Sequence, residues 1–241
     1  MVPLKTLFSL LAAGEFANMA VVKDVRGNID ESEYGKILQH INLAIIEIYK
    51  RFKFKEEELI LCVDPLVSTY YLRPEHTEAP GNTDTVRYIE HPAGRNGSIN
   101  LIEIKDVYDS NNAKVVMNNR FCIPYVKQVS ADTLRITGLL SAEKLSVVFQ
   151  SHPDVPVLND MFNMNTYKLD IPSTIIEPIL YYTAARVFRP TGANNSTANA
   201  DKSSAYMQQY ELACQKIDLY GLATQDEDVP TERRFRQEGW V

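Results

Sequence analysis

The chain has 241 residues, 45% of them apolar, and its 31 acidic against 25 basic side chains give a formal net charge of −6. That length and apolar content bury a core of ordinary size, as one elaborated domain or two small ones, and exclude a disordered chain. The acidic balance excludes a protein that grips nucleic acid by neutralising phosphates, which takes clustered Lys and Arg.

At the N-terminus a single basic residue, Lys5, precedes the apolar stretch 7–14, with no small-x-small site after it, so the segment only imitates a secretory signal. No other run approaches the roughly 20 apolar residues of a membrane-spanning helix. The expectation is a soluble, unprocessed protein. A first helix is predicted over about 4–21, with Leu7, Leu11 and Met19 on one face beside Phe8 and Ala12, broken by Gly27 and Asn28. Asp30 and Glu33 have capping-box spacing. After them Tyr34, Ile37, Leu38, Ile41, Ile45, Ile48, Tyr49 and Phe52 recur at helical period. Lys50, Arg51, Lys53 and Lys55 crowd the last turn, where cations complement the helix dipole.

From about residue 58 the period changes to that of strands. Candidate strands cover 59–63, 86–89, 101–108, 114–117, 121–126, 134–137 and 145–150. Residues 109–112 (Asp-Ser-Asn-Asn) read as a hairpin turn. Pro124 confines its strand to a sheet edge, where a missing amide donor costs nothing. These strands predict an antiparallel sandwich or barrel-like region over 58–169.

Helical period returns at about residue 170. Thr174 and Glu177 have capping-box spacing, and Pro178 falls in the first turn, where it is tolerated. The helix carrying Ile179, Leu180, Tyr182, Thr183, Val187 and Phe188 stops before Pro190. A polar loop over 191–200 leads to a last helix with Tyr206, Tyr210, Ala213, Ile217 and Tyr220 on its apolar face, capped by Gly221. Two helices so joined form an antiparallel hairpin.

The fold class is therefore α+β, with a four-helix core from residues 1–57 and 170–222, the β-rich insertion over 58–169, and an extended tail over 223–241. That tail has no internal period. It holds the sole tryptophan, Trp240, near Arg233, Arg234, Phe235 and Arg236, and Trp and Arg are residue types that dominate interface hot spots. A docking arm is the expectation.

The residues give catalysis no support. Cys62, Cys122 and Cys214 fit no zinc spacing and read as buried thiols in a reducing cytoplasm. His40, His76, His91 and His152 have no short metal spacing, and no HExxH, P-loop, GxSxG or GxGxxG motif occurs. No metal, cofactor or catalytic residue is assigned. Asp64, Glu103, Asp106 and Asp109 read as strand-edge or turn residues, and Tyr70, Tyr71, Tyr181 and Tyr182 as core or interface residues.

Three stretches carry a family resemblance: 64–74 (DPLVSTYYLRP), 171–188 (IPSTIIEPILYYTAARVF) and 206–219 (YMQQYELACQKIDL). With the order helix, helix, β-insertion, helix, helix, tail, they resemble the head-to-tail adaptor (connector) proteins of tailed bacteriophages, of the podovirus type with a β-insertion. The resemblance implies a non-enzymatic structural virion protein in the neck or tail, made in the host cytoplasm. It implies a homo-oligomeric ring, commonly a dodecamer, between the portal protein and the tail nozzle or tail tube, with DNA passing through unbound. It also implies that the C-terminal arm reaches into the portal, which makes Arg233, Arg234, Phe235, Arg236 and Trp240 the portal-docking residues. The competing readings are a tail-completion or carbohydrate-binding virion protein, marked by a row of exposed aromatics on the sheet, and a hydrolase with a carboxylate pair in the insertion.

Overall fold

A computed structural model describes residues 1–17, 29–77, 87–90, 99–121, 124–138, 143–157, 163, 165–189 and 197–222. The chain divides into two compact units, Met1–Phe54 with Pro153–Val241, and Lys55–His152. The first is helical and the second antiparallel β, so the α+β class holds, with four α-helices among the described residues.

The helical unit contains α1 (Leu4–Ala13), α2 (Tyr34–Arg51), α3 (Ile176–Val187) and α4 (Thr197–Leu219). It also contains a small two-stranded sheet in which β1 (Val2–Pro3) pairs antiparallel with the last strand, β10 (Lys168–Leu169). The Leu4 amide donates to the Tyr167 carbonyl at 3.0 Å beside that pairing. Residues 153–169, grouped with the insertion on sequence pattern, thus fall in the helical unit. Helical spacing on α2 places Ile37, Ile41, Ile45 and Ile48 on one face, and all four are buried.

Three helix ends differ from expectation. α1 ends at Ala13: the Gly14 amide donates to Leu10 O at 2.9 Å, and that of Phe16 reaches back to Leu11 O at 2.8 Å. After this turn Phe16 is buried in the core against Phe188, ring centroids 6.3 Å apart. Met19 lies outside the described residues. At α2 the capping box does not form. A 3-10 turn over Glu31–Glu33 leads in, Asp30 Oδ1 accepts from the Ser32 amide, and Glu33 instead binds Lys36 Nζ at 3.0 Å. At α3 a 3-10 turn over Ser173–Ile175 takes the place of the Thr174–Glu177 box, and Glu177 lies beside the Tyr181 hydroxyl one turn on.

The last helix begins at Thr197, inside the stretch read as loop, and Tyr220 lies beyond its end, 67% exposed rather than on the apolar face. Its termination follows the sequence: Gly221 takes φ 59°, the Leu222 amide donates to Ile217 O and the Gly221 amide to Asp218 O, a Schellman motif. Gly221→Ala puts a Cβ into the left-handed region and is expected to cost about 1 kcal/mol, read as a lower denaturation midpoint.

The β unit has a five-stranded sheet in the order β4 (Ile89–Glu90), β2 (Glu56–Val63), β9 (Glu143–Ser151), β5 (Leu101–Tyr108), β6 (Lys114–Val115). A three-stranded sheet has the order β3 (Thr69–Tyr71), β8 (Thr133–Thr137), β7 (Tyr125–Ser130). Register sets Leu59 opposite Val147 and Leu61 opposite Leu145, so the alternating apolar residues of β2 and β9 point inward together. They share one core with Tyr70, Val126, Leu134 and Ile136 of the smaller sheet. Both sheets are open, and among the described residues neither closes into a barrel.

The strand expected over 121–126 instead starts at Tyr125, because Pro124 has no amide to give, and Phe121 is 96% exposed. β3 lies outside the strands that the sequence pattern predicts. The Asp109 turn is as read: its Oδ1 accepts from the amides of Asn111 and Ala113, both at 2.8 Å.

Candidate functional site

The residues singled out for docking, Arg233, Arg234, Phe235, Arg236 and Trp240, lie outside the described residues, as do Cys122 and His91. The chemistry that can be placed sits in two constellations, one in each unit.

In the β unit a cleft of about 390 Å³ lies over the ends of β2 and β9, lined by Asp64 and Glu143, Arg87 and Lys144, and the rings of Tyr70 and Tyr88. The two rings meet edge to face at 5.1 Å. Their phenols are engaged with backbone. Tyr70 Oη accepts from the Asp64 amide at 2.8 Å and donates towards Val67 O at 2.9 Å, while Tyr88 Oη accepts from the Tyr71 amide at 2.8 Å. Burial raises both phenol pKa values above the ordinary tyrosine value. Tyr88 also stacks on His76 at 4.7 Å, His76 on Tyr71, and Arg73 lies over Tyr71.

Ion pairs brace the two sheets of this unit. Lys144 Nζ binds both oxygens of Glu90 at 2.6 and 2.9 Å, and the Cys62 thiol donates to the same carboxylate at 3.2 Å. These bonds, the lysine's first, hold the Glu90 carboxyl below its usual range. Asp132, accepting from Ser130 and Arg73, is lowered to about 2. Cys62 and Lys144 are direct cross-strand partners, a proximity that only the register supplies.

Asp64 and Glu143 both reach the cleft, yet both are solvent-exposed, and Asp64 Oδ1 caps its own turn at the Leu66 amide, 2.8 Å away. Among the described residues no three His, Cys, Asp or Glu side chains converge as a metal site. Asp106 pairs with Lys114 at 2.6 Å and Glu103 with Lys105 at 2.5 Å.

In the helical unit the stretches 171–188 and 206–219 are brought together as the α3–α4 hairpin, whereas 64–74 forms the Asp64 turn and β3 in the β unit. Tyr182 meets Tyr210 at 5.2 Å, Phe188 stacks on Tyr206 at 5.4 Å, and Lys202 lies over the Phe188 ring. Ser203 Oγ donates to Ala185 O at 2.8 Å, and Arg51 Nη1 binds Glu211 at 2.7 Å, tying α2 to α4. Cys214 is buried, and that burial raises its thiol pKa. His40 is half-buried on α2 with Nδ1 unpaired, and burial followed by the charge of Arg186 lowers its pKa. The tyrosines of both units therefore serve mainly as packing. Tyr71, 42% exposed, is one accessible ring, and among the described residues it is not joined by others in a row on the sheet.

Compared with known protein families the chain matches none, and no curated protein is significantly similar to it.

Proposed function

We propose that the chain is a non-enzymatic structural virion protein, a head-to-tail adaptor that forms a ring, commonly dodecameric, between the portal and the tail nozzle or tube of a tailed bacteriophage. The observation that carries the reading is the architecture. A helical unit is assembled from both ends of the chain, its last two helices paired as a hairpin, with a β unit inserted between the second and third. In this reading the four helices form the adaptor core, and residues 223–241 form the docking arm.

Each element then has a mechanical role. Arg233, Arg234 and Arg236 offer fork-shaped donors to portal carboxylates, while Phe235 and Trp240 fill apolar pockets. One buried aromatic contributes about 1.5–3 kcal/mol, too little for a lasting joint, but a ring engages all its arms at once. The net charge of −6 suits a channel through which DNA slides, since fixed positive charge would retard it.

The test is assembly with the portal protein, weighed by native mass spectrometry. The full chain is expected to give a ring on the portal, and a chain lacking residues 226–241 to give none while its circular dichroism stays that of the folded protein. Undiminished assembly by the truncated chain removes the arm. Failure of the full chain to bind portal removes the adaptor reading altogether.

A further inference from the structure

α4 has two apolar faces. Tyr210, Ala213, Cys214 and Ile217 are buried in the helical unit. On the opposite side Ala198, Ala205, Leu212 and Leu219 recur every seven residues, nearly two helical turns apart, and all are exposed, Leu212 at 50% and Leu219 at 80%. The positions between them on that side are Asp201, Gln208, Gln209, Gln215 and Lys216. Alternating-sign charge along a helix face is the mark of a face turned only to water. Here the middle is glutamine, and charge is confined to the two ends. Two further charges of α4 turn aside to the unit itself, Lys202 over Phe188 and Glu211 on Arg51.

The order of these residues is self-complementary. When a second α4 is laid antiparallel across a two-fold axis between Gln208 and Gln209, Ala205 meets Leu212 of the other copy, Ala198 meets Leu219, and Asp201 meets Lys216. Each contact occurs twice. Small residues opposite large ones let two helices approach to about 8 Å, at the close end of helix packing. Each aspartate then finds a lysine at the end of the seam. In a parallel pairing Leu would face Leu, Ala would face Ala, and each end would set like charges together.

We propose that this face is a docking surface for a second copy of the chain, paired antiparallel through α4 with Asp201 and Lys216 as its reciprocal end clamps. An isologous pair closes on itself and cannot propagate into a ring, so it is a form of the free protein and does not rest on the adaptor reading. A seam of one 23-residue helix per copy is small, which makes the dimer weak and dependent on concentration. Lys216 also lies 3.7 Å from Glu177, an exposed pair that it can leave at little cost.

The test uses the isolated full chain in sedimentation equilibrium over a roughly hundredfold range of concentration, without portal. The wild-type chain is expected to pass from monomer to dimer. Asp201→Lys and Lys216→Asp, each creating two like-charge contacts, are expected to weaken the dimer about tenfold at low salt. The double swap is expected to restore it to within about threefold, and Leu212→Gln to abolish it. These side chains are exposed, so the folded monomer survives each change, which circular dichroism checks. A chain that stays monomeric throughout overturns the proposal. So does a dimer indifferent to Leu212→Gln, and so does a double swap that behaves no better than the single reversals. Loss of ring formation with portal, measured separately, bears on the adaptor reading alone.

Discussion

Phe149→Ala is expected to destabilise the β unit by about 3–5 kcal/mol and to weaken the helical unit as well, although Phe149 is no part of it. Phe149 is fully buried on β9 in the common core of the two sheets, opposite Ile104 on β5 and Glu57 on β2, and a cavity there has close-packed walls that cannot collapse. The effect on the helical unit is one of chain entropy. The β unit leaves and rejoins the helical unit at adjacent points: the Ser151 amide donates to Lys55 O at 3.0 Å, and Glu56 pairs with Gln150. While folded, the insertion holds the ends of the helical unit together. Unfolded, it becomes a loop of about 100 residues whose closure costs about 4 kcal/mol. Thermal unfolding of the variant, followed by hydrogen exchange on α2 and α3, is expected to show protection falling in the helices. Replacing residues 56–150 by a tight two-residue turn is expected to restore that protection, because the gap it spans is already a hydrogen bond wide. Helices that keep their full protection in Phe149→Ala would show that the units fold without this coupling.

The same excursion explains what could be read from the chain and what could not. The long helix α2 was legible because its isoleucines repeat at helical period and its neighbours in sequence are its neighbours in space. Its entry was not, since Asp30 and Glu33 fit a capping box by spacing while the folded chain gives Glu33 to Lys36. β2 and β9 were legible as strands by alternation, but their pairing was not. Residues 80 to 94 positions apart meet there, and nothing local records that Cys62 will lie opposite Lys144. The Glu90–Lys144–Cys62 cluster therefore had no signature in the sequence. Gly221 was legible as a cap because only a left-handed residue closes a Schellman turn. The second face of α4 is the converse case. The sequence displays Ala198, Ala205, Leu212 and Leu219, but a search for a single apolar face finds Tyr210 and Ile217 and stops.

Raising the pH above 10 is expected to unfold the helical unit through its buried tyrosines. Burial, then the neighbouring Glu15, raises the Tyr206 hydroxyl to about 12. Burial raises Tyr49 and Tyr210 further, with Asp170 and Cys214 respectively adding to it. A phenol whose folded pKa lies above its unfolded value keeps its proton in the folded state after the unfolded chain has lost it. Its contribution to stability is complete below pH 10 and declines as the pH climbs from there towards the folded value. Each of the two fully buried phenols, Tyr49 and Tyr210, removes at most about 1.4 kcal/mol per pH unit across that window, so the pair removes at most about 3 kcal/mol per unit, and the half-buried Tyr206 adds less. The part of the tyrosinate absorbance that comes from the buried rings is expected to change together with the helical circular dichroism, between pH 10 and about 12. Tyr210→Phe keeps the ring that meets Tyr182 and deletes the ionisable group, so it is expected to shift that change to higher pH. An unchanged transition in Tyr210→Phe, or tyrosinate absorbance that saturates while the helices remain folded, would place these hydroxyls within reach of water and refute their role as buried packing.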